Sequence, residues 1–347
     1  MKWNKDTDIL FLAVGHGTMI NGKWDSGCAY SKYTEAELML PIVKEAVKLL
    51  RKSGVRVLTD ADKGNNKNMT ATVAEANKRH VKLYASVHND YSGASSGIMF
   101  YFGSAKGKKF GDTVCKFCSK AMNLRFKGGK KDLDKYEVKA PTMPSIILEL
   151  GAIKADLPEL KQSKKYGRAL AKGILKYIGV PVYVSKRTRL RRRMGEVLAY
   201  MNVHHFKYCL QYKKCGTSWK QAKKTKRSNC ATAVSYAMQL EDILEPGQIF
   251  WINGTTIHCV GKGCKARIKK YFKITHPKKT AKKAKVKSGY VCGYKANPHT
   301  QMFVKYNSKG IPLWYSFGPS DVGKKQPRHK QSYDKKPIQT VMAIKEK

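Results

Sequence analysis

The sequence predicts an α/β fold for its first half, a doubly wound and mostly parallel sheet, followed by a second domain of α+β type. Three observations carry this reading. Short apolar runs alternate with amphipathic stretches up to about residue 180, the pattern of βαβ units. The alternation breaks at the VPVY segment ending in Tyr183 and gives way to the basic run KRTRLRRR, read as a linker, which sets the domains at 1–184 and 185–347. Beyond it come isolated helix candidates and a hairpin signal, without further βα units.

The expected strands of the first half are Asp8–Val14, Arg56–Thr59, Lys82–Val87, Gly97–Phe102 and Ser145–Leu150. The expected helices are Glu35–Ser53, Thr70–Arg79, Lys106–Ala121 and Lys164–Ile178. In the first helix Leu38, Ile42, Ala46 and Leu49 recur at helical spacing, and Gly54 supplies the stop. A doubly wound sheet places any site at the carboxyl ends of its strands. In the second half we expect helices at Met194–Val203 and Cys230–Leu240, an exposed basic loop in HPKKTAKKAKVKSG, and a hairpin from His299–Tyr306 to Ile311–Phe317.

Composition limits the partners. The chain has 347 residues, 42% of them hydrophobic, which is globular composition. Its formal net charge of +45 implies a polyanionic partner: nucleic acid, anionic membrane or anionic cell-wall polymer. Residues 1–180 hold 32 Lys and Arg against 17 acids, the remainder 37 against 7, so the second half is the more basic. No apolar run approaches the roughly 20 residues that span a bilayer, and the charged start lacks the apolar stretch of a secretory signal. Synthesis in the cytoplasm, with release by another route, is the expectation. Nine cysteines without a framework spacing read as reduced thiols. Cys115 and Cys118 form a CxxC with no second pair beside it.

Three strand ends carry residues that a purely structural sheet would not choose. DILFLAVGHG ends in His16, KLYASVHND holds His88, and SIILELGAI holds Glu149 within an apolar strand. A carboxylate there costs several kcal/mol unless it is paired, hydrogen-bonded or close to a metal. Two His and a helix-start carboxylate, Glu35 in YTEAEL, make a ligand set that leaves zinc an open position for water. Glu149 is then free to act on that water.

The segments VGHGTMINGKWDSGCAY, TEAELML, GVRVLTD, ANKRHVKLYASVHND and PSIILELGAI follow one another as in the zinc-dependent N-acetylmuramoyl-L-alanine amidases of the third amidase type, which residues 6–180 resemble. The resemblance implies that His16, Glu35 and His88 bind zinc and that Glu149 is the catalytic carboxylate. Glu37 is the rival of Glu35 within the motif. The chain departs from the pattern at Asp60 and Thr72, where the family carries Arg.

In the second half, KRSNCATAVSYAMQ puts Cys230 where a helix should begin, a position that favours a thiolate. His299 opens a strand and can serve as its base, and Ser316 on the paired strand can orient the imidazole. NCATAVSYAMQ, GYVCGY, PHTQMFV and LWYSFG resemble the papain-like cysteine- and histidine-dependent cell-wall peptidases over residues 190–345. Gly289-Tyr290 stands where that family often has Gly-Asp, and Ser316 where it has Asp or Asn. Cys209, Cys215, Cys259 and Cys264, with His258, match no zinc template. Trp219, Trp251 and Trp314 read as core or rim packing with sugar stacking as the alternative.

The expectation is a bifunctional peptidoglycan hydrolase, a zinc amidase followed by a cysteine peptidase, resembling phage lysins in arrangement and held on the anionic wall by its basic surface. The alternatives are an amidase with an inactive wall-binding second domain, or a basic nucleic-acid-binding protein. No recognisable nucleic-acid-binding module supports the last.

Overall fold

A computed structural model of the protein describes residues 3–345 except positions 20, 63–65, 210, 254, 278–283, 295–298, 307, 309–311, 316–328 and 331–337. The chain forms two compact units, Met1–Tyr183 and Val184–Lys347. No helix among the described residues is long and apolar enough to cross a membrane.

The first unit runs β1 (Ile9–Val14), α1 (Glu35–Lys52), β2 (Arg56–Leu58), α2 (Met69–Lys78), β3 (Leu83–Asp90), β4 (Ile98–Phe102), α3 (Ala105–Met122), β5 (Phe126–Lys131), β6 (Ser145–Ala152) and α4 (Ser163–Ile178). The six strands lie in the order β2-β1-β3-β6-β4-β5. Neighbours are parallel except β6 and β4. The mostly parallel sheet follows from the βα alternation, with one reversal where β3 leads to β4 without an intervening helix.

Period-two side-chain alternation divides the sheet between two cores. Leu10, Leu12 and Val14 of β1, Leu83, Ala85 and Val87 of β3, and Ile146 and Leu148 of β6 are buried with residues of α1, α3 and α4. Phe11, Ala13 and Tyr84 point the other way, to Val73 and Ala76 of α2. By the same alternation Ser86 and His88 share the face of Tyr84, and Glu149 shares it across the β3–β6 register, where it stands beside His88. The site-forming residues therefore lie on the lightly covered face.

Strand β5 is absent from the sequence reading because FKGGKK, after its opening Phe126, has none of the β-branched or aromatic alternation of a strand. Its glycine has a packing role. Phe100, fully buried on β4, has its ring against the backbones of Gly129 on β5 and Gly111 on α3, and a Cβ on either would collide with it. Cys115 and Cys118 are fully buried in the same core, and burial pushes the Cys118 thiol up to about 12, so the CxxC is filler and not a reactive pair.

The end of β1 is pinned by Asp60. Its carboxylate accepts from the Val14 N–H (2.9 Å) and the Lys67 N–H (2.9 Å) and is 4% exposed. Burial pushes its pKa up to about 6 against the pull of those N–H groups, and Glu137 adds to the rise.

The second unit begins with α5 (Lys186–Val203), followed by α6 (Cys230–Gln239), the hairpin β7 (Ile249–Asn253) and β8 (Thr256–Val260), and α7 (Cys264–Tyr271). Strands β9 (Phe272–Thr275), β10 (Val291–Tyr294), β11 (His299–Tyr306), β12 (Pro312–Tyr315), β13 (His329–Lys330) and β14 (Thr340–Ile344) form an antiparallel sheet in the order β9-β14-β10-β11-β12-β13. This is an α+β arrangement, with α6 packed on β7 and β11. The run KRTRLRRR is corrected from linker to helix. Leu190, Met194, Val197, Leu198 and Met201 bury one face, Arg189 and Arg193 pair with Glu241 on another, and Ser185 caps the start. The hairpin strands pair as expected, β11 with β12, while most of their turn lies outside the described residues. So does much of the basic loop.

Two expected outcomes follow from the first unit. Phe100→Ala should cost about 3–5 kcal/mol, and Gly129→Ala about 1–3 kcal/mol by overpacking, both read from urea denaturation of the full chain. Asp60 binds its proton more tightly folded (pKa about 6) than unfolded (3.8). Its contribution to stability is thus complete below pH 3.8 and is lost as pH rises through 6, by at most about 3 kcal/mol. The difference between the stability–pH curves of wild type and Asp60→Asn should run in that direction over that window; a constant difference would refute the assignment.

Candidate metal centre

Beyond β1 the chain turns sharply. Gly15 bonds to the Val87 carbonyl (2.8 Å), and His16 adopts φ +64°, a left-handed conformation rarely held by a residue with a side chain as large as this. That turn aims the imidazole across the strand ends toward His88, whose ring centroid lies 5.1 Å away at an interplanar angle of 78°. Glycines make room for both rings. A Cβ on Gly15 would stand 2.5 Å from the His88 ring, and one on Gly27 (φ +68°) would stand 2.6 Å from His16 and 2.7 Å from the Glu35 carboxylate.

Glu35 opens α1 and is 3% exposed. Its Oε2 lies 3.3 Å from His16 Nε2 and accepts from the Cys28 N–H (3.2 Å); its Oε1 lies 3.0 Å from His88 Nδ1 and accepts from the Asn89 N–H (3.1 Å). One ligand atom each of His16, Glu35 and His88 falls within 4.8 Å of the others, and among the described residues this is the one such group. Glu37, two residues on, is exposed and accepts instead from the Thr34 hydroxyl.

The outer ring nitrogens are also held. His16 Nδ1 lies 2.8 Å from Asp25 Oδ2, whose other oxygen accepts from the Gly27 N–H. His88 Nε2 lies 2.9 Å from Ser86 Oγ and 3.1 Å from Glu137 Oε2. Glu137 and Asp25 were not singled out in the sequence. Glu137 sits in a single helical turn, Tyr136–Lys139, and no periodicity marks it. Asp25 lies within the VGHGTMINGKWDSGCAY segment, but only the fold brings it back to His16.

Charges in the site are strongly coupled. Burial would raise the Glu35 pKa, but hydrogen bonds from His16 and His88 prevail and hold it far below the usual carboxylate range. Burial opposes protonation of both imidazoles. Glu35 and then Asp25 outweigh it at His16, and Glu137 and then Glu35 at His88, so both rings are shifted upward. Two lone-pair atoms facing each other at 3.0 Å need a cation between them, a proton or a metal ion. A divalent ion suits this donor set: two neutral imidazoles and a carboxylate, each imidazole backed by a second carboxylate, the usual support of a metal-ligating His.

Glu149 lies on β6 in register with His88 and in the same cavity, a cleft of about 360 Å³ that also takes in Asp90, Tyr101 and Lys135. Its Oε2 is buried and has no hydrogen-bond partner. Burial lifts its pKa to about 7 against the pull of His88, with Glu35 and Asp90 adding to the rise. Such a carboxyl can exchange a proton near neutrality. Cys28, on the rim, is pushed up to about 12 by burial and by Glu35, so it remains a thiol.

In the second unit Cys230 is the first residue of α6 and 5% exposed. Asn229 caps the helix, its side chain accepting from the Thr232 N–H while Thr232 Oγ1 accepts from the Asn229 N–H. His299 opens β11 opposite Tyr294; its side chain is outside the described residues, as is Ser316 altogether. Cys215 and Cys264 are buried, with thiols bonded to the Cys209 and Ile249 carbonyls, and these cysteines do not converge with His258 as a metal group among the described residues. Trp314 is fully buried and Trp219 packs against Tyr200, Phe206 and Tyr236, whereas Trp251 stacks with Tyr212 and with His258.

Residues 10–180 match the family described as N-acetylmuramoyl-L-alanine amidase. Among solved structures the chain is similar to the N-acetylmuramoyl-L-alanine amidase AmiC2 of Nostoc punctiforme, at 22% identity over 50% of this chain and 98% of that one (TM-score 0.45). It is also similar to the catalytic domain of CwlV, an N-acetylmuramoyl-L-alanine amidase from Bacillus (Paenibacillus) polymyxa var. colistinus, at 20% identity over 50% and 99% (TM-score 0.44). A third is the catalytic domain of the CD27L endolysin targeting Clostridia difficile, at 16% identity over 49% and 97% (TM-score 0.42). None of the curated proteins compared with it matches the chain.

Proposed function

We propose that the first unit is a zinc-dependent amidase that cleaves the amide between N-acetylmuramic acid and the L-alanine of the peptidoglycan stem. The observation that carries this is the convergence of His16, Glu35 and His88 to within 4.8 Å beside the unpartnered, buried oxygen of Glu149, in a domain whose sequence matches the amidase family.

His16 Nε2, Glu35 and His88 Nδ1 would hold the ion. When bound, zinc supplies Lewis acidity, polarising an amide carbonyl and acidifying water toward neutrality. The remaining work falls to the protein. Asp25 keeps the His16 imidazole oriented. Glu149 Oε2, with its pKa near 7, takes a proton from the attacking water and returns it to the amine of the leaving alanine. The low-dielectric cleft that lifts this pKa also strengthens each of these interactions.

For the second unit we propose a cysteine peptidase acting on wall peptides, with Cys230 as nucleophile, His299 as base and Ser316 as the orienting residue. A capped helix start at Cys230, and the packing of α6 on the strand that His299 opens, support it. Anionic wall polymers are the fitting partner for a chain of net charge +45, and the protein acts at the bacterial wall.

Digestion of purified wall by the full chain tests both units. Chelation, or Glu149→Gln, should lower the release of alanine amino termini on the order of 100-fold or more. Cys230→Ala should abolish a different set of peptide ends and leave alanine release unchanged. Alanine termini that appear undiminished in the presence of chelator would exclude a metal-dependent amidase.

A further inference from the structure

We propose that Glu137 is a positioning residue for the metal centre: fixed by a buried relay from Thr72 and Tyr84, it holds His88 with Nδ1 presented to the ion. The inference rests on the zinc reading above and concerns a residue that the ligand set does not include.

The relay runs on the lightly covered face of the sheet. Tyr84 is fully buried, and its hydroxyl donates to Glu137 Oε1 at 2.6 Å. A phenol has a single proton, so with that proton on Glu137 the Tyr84 oxygen is the acceptor toward Thr72 Oγ1, 2.9 Å away, whose proton is shared with the Met69 carbonyl at 3.1 Å. Glu137, 4% exposed, has its other oxygen 3.1 Å from His88 Nε2, and Ser86 Oγ lies 2.9 Å from the same nitrogen. With a proton on Nε2 directed at the carboxylate, the Nδ1 lone pair is left facing Glu35. Tyr84 thus holds Glu137 as the acceptor for Nε2–H, which fixes one ring orientation of His88 and leaves Nδ1 to face an ion at Glu35.

The location argues against a purely structural role. Tyr84 is packed with Phe11, Val73 and Val81, and the buried Thr72 and Glu137 are bonded to it, where apolar side chains would avoid the cost of burying a charge. What a carboxylate adds here, and an apolar group could not, is an acceptor for the imidazole. The two imidazoles are also served differently. The partner of His16 is Asp25, whose side chain is 43% exposed, whereas that of Glu137 is 5% exposed, so the hydrogen bond to His88 is the one shielded from water.

The test compares the full chain with Glu137→Gln, Tyr84→Phe and the exposed control Glu37→Gln. Zinc affinity is measured by competition with a chromophoric chelator, the visible spectrum of the cobalt-loaded protein is recorded, and folding is checked by thermal melting of the metal-free chains. Glu137→Gln keeps the shape of the side chain and should bind zinc about 10- to 100-fold more weakly, with a shifted cobalt spectrum. Tyr84→Phe leaves the carboxylate in place and should show a smaller loss in the same direction, and Glu37→Gln none. Zinc affinity and cobalt spectrum of Glu137→Gln equal to wild type would overturn the inference while the zinc reading stands. A wild type that takes up no zinc would overturn both. A loss confined to melting temperature, with affinity of the folded fraction unchanged, would reduce Glu137 to a structural residue and refute the proposal.

Discussion

A carboxylate held between two imidazoles organises the first unit. Glu35 is buried at a helix start, where backbone N–H groups of Cys28 and Asn89 and the ring nitrogens of His16 and His88 all converge on it. Burying that charge is unfavourable unless every one of these partners is in place. The left-handed turn at His16, the bare backbones of Gly15 and Gly27, and the strand end at His88 are the local conditions that put them there. Loss of any one leaves a charge without compensation in a low-dielectric cleft.

Much of this was legible in the residues. Polar side chains at the ends of apolar runs have few structural reasons to exist, and His16, His88 and Glu149 stood out for that reason. The βα alternation sufficed for the mostly parallel sheet, because helical and strand periodicities are hard to confuse over such lengths. What escaped notice has physical causes. Strand β5 is built from glycine and lysine because its inner face must admit the Phe100 ring, so it carries no strand signature. Glu137 acts from a single helical turn, too short for any period to show. The arginine-rich start of α5 resembled a linker because Glu241, which pairs with Arg189 and Arg193, lies some fifty residues on, and only Glu196 answers its charges locally.

The second unit illustrates a different limit. Its helix start at Cys230 was readable from the small, apolar residues that follow it, a local feature. The pairing of β11 with β12 was readable as well, from two apolar runs around a polar turn. A catalytic role for a cysteine, however, depends on which side chains face it, and that information is not contained in local pattern.

The two imidazoles of the centre use different arms. His16 faces Glu35 with Nε2, the far nitrogen, from a turn that leaves its side chain 28% exposed; His88 uses Nδ1, the near nitrogen, from within the sheet, and is 13% exposed. The centre is therefore anchored deep on the strand side and open on the side of the turn. Diversification among such proteins has little freedom at the floor, where a shift of β3 would disturb both the core and the ligand. The turn side is tied down too, but at single points: Asp25 holds His16, Gly27 leaves room for His16 and Glu35, and the Cys28 N–H bonds to Glu35, so variation there must spare these three residues.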